Sequence, residues 1–163
     1  TICRIAALDN VVAFKEASFD IDLFTETMKQ LERSKTSMEV LSGNDRFVAE
    51  SYRLGAAGAL IGVANVATGK WAAMDLAAQQ GDFDKAAALQ KELEAVKEIV
   101  FSEPIVEAVA RIKIVLQHEG LIKTAMVRRP QLGISKEEEK QLLDSYRALK
   151  TNEFRVKSVT QAA

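Results

Sequence analysis

The chain has 163 residues, enough for one domain with a real core, and its 22 Lys+Arg against 23 Asp+Glu leave a formal charge of −1. That balance offers no basic field for a nucleic acid and no polybasic patch for a membrane. The apolar share is 48%, yet no unbroken apolar run reaches the roughly 18 to 20 residues of a membrane span. One cysteine, Cys3, and one histidine, His118, exclude a disulfide framework and a Cys/His zinc cage, but leave open an oxygen-only metal site. No basic, apolar and then small-residue leader opens the sequence, so the expectation is a soluble, cytoplasmic protein.

Two Pro and eight Gly in the whole length leave few breakers, so long regular elements should dominate. After the turn signal Asp9-Asn10, the apolar and partly β-branched Val11-Val12-Ala13-Phe14 reads as a buried strand. Asp20 or Asp22 can cap a helix whose apolar face is Phe24, Met28 and Leu31. Met38 to Leu41 reads as a second strand, followed by Ser42-Gly43-Asn44-Asp45 and a helix from about Arg46 to Leu54 that Gly55 stops. Ala59 to Val63 is a third short apolar strand. Connections this long between strands call for parallel pairing with right-handed crossovers.

The rest of the chain is expected to be helical. One helix runs from Trp71 to Gln80, and another from Phe83 to Val100 with Phe83, Leu89, Leu93, Val96 and Val100 near one face. Pro104 suits a first helical position, with Ile105, Val109, Ile112 and Leu116 as the apolar face and Gly120 as the stop. Ser135-Lys136-Glu137-Glu138 is a capping box that opens a last helix with Leu142, Tyr146 and Leu149 inward. Thr151 to Ala163 lacks periodicity and is expected to fray. Parallel sheets are stable mainly with both faces covered, so three strands imply either a small open sandwich or part of a larger barrel.

Alternation along the first strand puts Val11, Ala13, Lys15 and Ala17 on one face and Val12, Phe14 and Glu16 on the other. Lys15 then stands at the strand's carboxyl end, where α/β folds place their sites. A lysine drawn into a low-dielectric pocket favours its neutral form, a nucleophile for carbonyl carbon that can form a Schiff base. The ordinary alternative pairs Lys15 with Glu16 or Asp20, or leaves it in solvent. Gly43 lies at the same end of the second strand, where a missing side chain permits close approach to a small ligand. The ordinary alternative here is a strand-to-helix turn with Asp45 as N-cap.

At this point three motifs occur together: Val11-Val12-Ala13-Phe14-Lys15-Glu16-Ala17-Ser18, Leu41-Ser42-Gly43-Asn44-Asp45, and Gly58 through Val66. In order and spacing they resemble the dihydrodipicolinate synthase / N-acetylneuraminate lyase family. Arg129-Pro130 with Ser135-Lys136-Glu137-Glu138 resembles that family's late loop and helix. The resemblance covers nearly the whole chain. It implies an α/β fold, the C-terminal portion of a (β/α)8 TIM barrel (strands six to eight) with a C-terminal helical extension. Residues 1–80 would be the last three β/α units, 81–151 the extension and 152–163 a tail.

The same resemblance assigns roles. The family's Schiff-base lysine falls on Lys15, its pocket glycine on Gly43, and the apolar residue that packs on bound pyruvate on Leu60. It implies a class I lyase that joins pyruvate to an aldehyde, with no metal or organic cofactor, and a homotetramer. Lys15-Glu16-Ala17-Ser18 favours the synthase branch, whose second substrate is aspartate semialdehyde and whose product leads to lysine. Strands one to five, the hydroxyl pair for the pyruvate carboxylate, the proton-relaying tyrosine and the substrate arginine would all lie upstream. The isolated chain is therefore expected to be inactive or nearly so. Neither Tyr52 nor Tyr146 fits the missing tyrosine, because both sit on predicted helices away from the strand ends.

Ser102-Glu103-Pro104-Ile105-Val106 departs from the branch's usual Asn-Pro-Ile-Pro and following lysine. A keto-deoxy-sugar aldolase or dehydratase of the same family is thus an alternative. A rival of another class is a non-catalytic α/β module that binds through an exposed sheet edge or its late helices. Among the remaining residues, Trp71 and Met74 read as core or subunit contact, and Cys3 as inert. His118 sits near a helix C-terminus, which favours imidazolium, and Glu137 to Glu139 suit a helix N-terminus. Asp20 and Asp22 have no spacing that demands a metal.

Overall fold

The computed structural model describes the backbone of residues 1–153 and side-chain surroundings to residue 148. The inward placement expected of Leu149, and the tail from residue 154 on, lie outside the described residues. The elements are α1 (Ile2–Ala6), β1 (Ala13–Glu16), α2 (Ile21–Arg33), β2 (Glu39–Ser42), α3 (Val48–Arg53), β3 (Gly58–Ala59), α4 (Thr68–Gln79), α5 (Phe83–Val100), α6 (Ala108–His118) and α7 (Lys136–Glu153). The strands form one parallel sheet in the order β1-β2-β3, with Lys15 opposite Leu41 and Leu41 opposite Gly58. Two compact units are present: Thr1–Gly62 with Ala72–Lys91, and Val63–Trp71 with the chain from Glu92 on.

In the first unit α2 is amphipathic and starts where the sequence puts it. Asp20 is its N-cap, and one carboxylate oxygen accepts the Asp22 and Leu23 amides at 2.9 and 3.0 Å. The helix buries Phe24 and Leu31 with Met38, Val40 and Ala56, and Ile2, Ala6, Val11, Phe14, Met28, Phe47 and Leu54 pack around them. Phe24 meets Phe47 edge-on at 6.1 Å between ring centroids. The Cys3 thiol lies 3.7 Å from the Gln30 carbonyl and points to it as a weak donor.

Three boundaries differ from the sequence expectation. The first strand begins at Ala13 rather than Val11; ahead of it Val11 packs on the core and Val12 is 72% exposed. The third strand pairs only at Gly58 and Ala59; residues 63–65 turn into a short 3-10 helix instead of extending it. Helix α3 begins at Val48, and the N-cap position expected of Asp45 is taken by Phe47. Its first-turn amide at Ala49, which has no partner within the helix, is satisfied by the Gln90 side chain of α5 at 2.7 Å, whose amide nitrogen donates to the Arg46 carbonyl at 3.1 Å.

In the second unit Trp71 is buried, as its core reading anticipated. Pro104 precedes a 3-10 turn at Ile105–Glu107, and α6 starts only at Ala108. Ile105 and Val109 are exposed, while Ile112 and Val115 are buried beside Arg111. The expected face is rotated because the Arg111 guanidinium occupies it. It donates to the carbonyls of Val100, Ser102, Glu103 and Pro104 at 3.4, 2.5, 3.5 and 3.3 Å, and to the Glu107 carboxylate at 2.8 Å. A segment after α6 returns along it: Gln117, Lys113 and Gln131 side chains donate to the carbonyls of Lys123, Met126 and Val106. Helix α7 begins with the expected capping box, Ser135 and Glu138 bonding each other's amides at 2.8 and 3.2 Å, and buries Leu142 and Tyr146. Among the described residues no helix is long and apolar enough to cross a membrane.

Two outcomes are expected. Phe24 is fully buried, so Phe24→Ala should lower unfolding free energy by about 3–5 kcal/mol, read as a shifted urea midpoint. The side-chain and then the backbone hydrogen bond of Ser135 hold the Glu138 carboxyl below its ordinary 4.5. A lowered folded value means the cap stabilises α7 above the unfolded carboxyl range and is lost as pH falls through the folded one. The protection of the first-turn amides of α7, their exchange rate compared with the intrinsic rate at each pH, should therefore fall on acidification, and Glu138→Gln should remove that acid dependence.

Candidate active site

The carboxyl ends of three parallel strands bring together the three residues that the sequence singled out. The register puts Lys15 beside Leu41 and Leu41 beside Gly58, so alternation places Lys15, Leu41, Gly43, Gly58 and Leu60 on one face of the sheet. On the opposite face Glu16, Val40 and Ser42 are buried and Phe14 is half-buried. Lys15 is exposed, and among the described residues it has no ion pair. The low-dielectric pocket expected around it is not formed by this chain, because the face that carries it is open.

Gly43 is buried, and its amide donates to the Glu16 carbonyl at 2.6 Å. A Cβ at Gly43 would stand 2.5 Å from Lys15 Cε, 2.8 Å from Ala17 Cβ and 2.9 Å from the Glu16 carbonyl oxygen. The close approach that a glycine permits here is thus made by the stem of the lysine itself, which lies across the Gly43 backbone. Leu60 continues β3 by one hydrogen bond, its amide donating to the Ser42 carbonyl at 2.8 Å. Its side chain is 58% exposed on the same open face.

The carboxylates that could have paired with Lys15 are turned elsewhere. Asp20 caps α2. Glu16 is 5% exposed, and its two oxygens accept the Ser18 amide at 2.9 Å and the Asn44 side-chain amide at 2.7 Å. Asn44 is fully buried; it also donates to the Glu16 carbonyl at 3.2 Å and accepts the Phe19 amide at 2.7 Å. Behind it, Ser42 donates to the Ser51 hydroxyl at 2.8 Å, and Ser51 to the Phe47 carbonyl at 2.9 Å.

Sequence reasoning missed this polar layer. The available signal was Glu16 on the same face as Phe14, since a buried carboxylate must find donors. Tyr52 lies on α3 as expected and donates to the Asp75 carboxylate; burial first, and Asp75 second, push the phenol well above the usual tyrosine range.

The chain is similar to 4-hydroxy-tetrahydrodipicolinate synthase of Moorella thermoacetica, 34% identical over 144 residues that cover 87% of this chain and 46% of that one. It is likewise similar to 4-hydroxy-tetrahydrodipicolinate synthase 2 of Clostridium acetobutylicum, 30% identical over 135 residues, 83% of this chain and 45% of that one. The crystal structure of dihydrodipicolinate synthase from Thermotoga maritima superposes with a TM-score of 0.78 at 26% identity, over 90% of this chain and 49% of that one. The chain spans about half the length of the curated relatives it matches. Residues 1–149 match the model of the dihydrodipicolinate synthetase family, and the chain belongs to that family.

Proposed function

We propose that this chain supplies the Schiff-base lysine of a lyase that condenses pyruvate with an aldehyde, in the manner of 4-hydroxy-tetrahydrodipicolinate synthase in lysine biosynthesis. The observation that carries the reading is the Lys15 stem laid across Gly43 at the carboxyl ends of parallel strands. In it β1, β2 and β3 are strands six, seven and eight of a (β/α)8 barrel. Residues 1–80 are the last three β/α units, 81–151 a helical extension and 152–163 a tail. The open face carrying Lys15 and Leu60 is the barrel interior, closed by the strands of an upstream half. A homotetramer belongs to the same proposal, and exposed Ile105, Val106 and Val109 are surface that it would cover.

The chemistry follows from the amine. Lys15 Nζ attacks the pyruvate ketone, the carbinolamine loses water, and the resulting iminium draws electrons from the adjacent methyl group. Loss of a methyl proton gives an enamine whose carbon adds to the carbonyl carbon of aspartate semialdehyde; the amine of that substrate then attacks the new iminium carbon, closes a ring and expels the Lys15 amine. Gly43 leaves room for the lysine stem, and Leu60 offers apolar surface beside the bound pyruvate. The iminium is the electron sink, so the steps from ketone to product draw on the lysine alone for covalent catalysis. Groups for the pyruvate carboxylate and for proton relay come from the upstream half.

Intact mass after incubation with pyruvate and borohydride tests the reading. The complete barrel, this chain preceded by the upstream half, should carry an adduct that peptide mapping places on Lys15, and Lys15→Ala should abolish it. The chain alone should trap little or none. A complete barrel without any adduct overturns the Schiff-base assignment. Gly43→Ala would force the lysine stem aside, so adduct formation should slow by about tenfold or more while Lys15 remains the only site labelled.

A further inference from the structure

Lys15 and Gly43 are each followed in sequence by a buried polar residue, and those two residues are bonded to one another. Glu16 and Asn44 lie on the reverse face of the sheet, 5% and 0% exposed, and the Asn44 amide donates to the Glu16 carboxylate at 2.7 Å. Every polar atom of the pair is used. The second Glu16 carboxylate oxygen takes the Ser18 amide at 2.9 Å, Asn44 Nδ2 also donates to the Glu16 carbonyl at 3.2 Å, and Asn44 Oδ1 takes the Phe19 amide at 2.7 Å. The Asn44 amide is thereby fixed in one orientation, since turning it over would set its NH2 against the Phe19 N–H.

We propose that Glu16 and Asn44 are positioning residues for Lys15: a buried tie that sets the separation of the carboxyl ends of β1 and β2, and so the point at which the amine is presented. The inference rests on the Schiff-base reading of Lys15. Its first support is energetic. A buried carboxylate is tolerated only where donors fix it, and the donors to Glu16 come from the end of β2 and from the loop after β1, so the pair constrains the position of both. Its second support is geometric. The Lys15 stem rests over Gly43, where a Cβ would stand 2.5 Å from Lys15 Cε, so the separation of the two strand ends sets where that stem can lie.

A third observation extends the tie to the loop. Phe19 holds φ at +60°, a left-handed conformation unfavourable for a non-glycine residue, and the Asn44 oxygen takes its amide. One side chain therefore spans both strand ends and also pins the turn that follows Lys15.

The test uses the complete barrel with Glu16→Gln, Asn44→Asp and the two combined. The first substitution sets donor against donor and the second sets carboxylate against carboxylate. Combined, they reverse the hydrogen bond, the new amide at 16 donating to the new carboxylate at 44, with the net charge unchanged. The measured quantities are the rate constant for borohydride-trapped pyruvate adduct at saturating pyruvate, the half-saturating pyruvate concentration, and Tm.

Each single variant should lose about tenfold or more in the rate constant, as expected for a sub-ångström misplacement, with half-saturation nearly unchanged and much of the rate restored in the combined variant. Variants that lose Tm but keep the rate constant per folded molecule show a purely structural pair and overturn the proposal. If Glu16→Gln does not fold, Glu16→Asp keeps the charge and shortens the reach by one methylene. A slower adduct rate then supports positioning, and an unchanged rate overturns it. Unsubstituted protein that traps no pyruvate removes the Lys15 assignment itself, and the tie's role with it.

Discussion

Where β1 and β2 end, one hydrogen bond has to hold two strands together at the place where a lysine needs room. The Gly43 amide donates to the Glu16 carbonyl at 2.6 Å, which extends the parallel ladder by one step beyond the paired residues. That step is possible only because residue 43 has no side chain: the space a Cβ would fill is occupied by Lys15 Cε, Ala17 Cβ and the Glu16 carbonyl. The glycine therefore serves sheet and site together. Remove its close approach and the strands separate, the lysine stem moves, and the buried Asn44 loses the carbonyl and carboxylate it bonds.

The sheet is covered on one side only, and this explains the distribution of apolar residues around it. Phe24, Leu31, Met38 and Val40 pack on the helix side, while on the other face Lys15 and Leu60 remain in solvent, Leu60 at 58% exposure. A parallel sheet ordinarily buries both faces, and the uncovered one is where its burial energy has yet to be realised. The relatives matched by this chain are about twice its length, and in the proposed barrel their additional strands enclose this face. Exposure of Lys15 belongs to the same geometry, since enclosure of the amine depends on residues from strands outside the chain.

The second unit is organised around a cation. Arg111 replaces part of the apolar face that periodicity assigns to α6, and it gathers the carbonyls left open at the end of α5 and in the following turn. With Glu107 one turn away it forms a nearly buried ion pair, 7% exposed on the arginine side. Four carbonyls and a carboxylate satisfy the guanidinium, which is the condition under which a buried charge is tolerated. The returning segment after α6 is held at two of its carbonyls, Lys123 and Met126, by the Gln117 and Lys113 side chains, and its own Gln131 side chain bonds back to the Val106 carbonyl.

By itself the sequence determined whatever a short stretch of chain can satisfy alone. The Asp20 cap, the α5 span with Leu93, Val96 and Val100 inward, and the Ser135–Glu138 capping box all rest on partners within a few residues or on a regular period. Parallel pairing followed from connections too long for hairpins, and alternation along β1 set the face of Lys15, while the register placed Gly43 on that same face. Only the tertiary structure decided that β3 stops at Ala59, that Gln90 serves the start of α3, and that Glu16 bonds Asn44. Those partners stand 41 and 28 residues apart. A hydrogen bond over that distance depends on how two elements pack, and neither propensity nor periodicity carries that information.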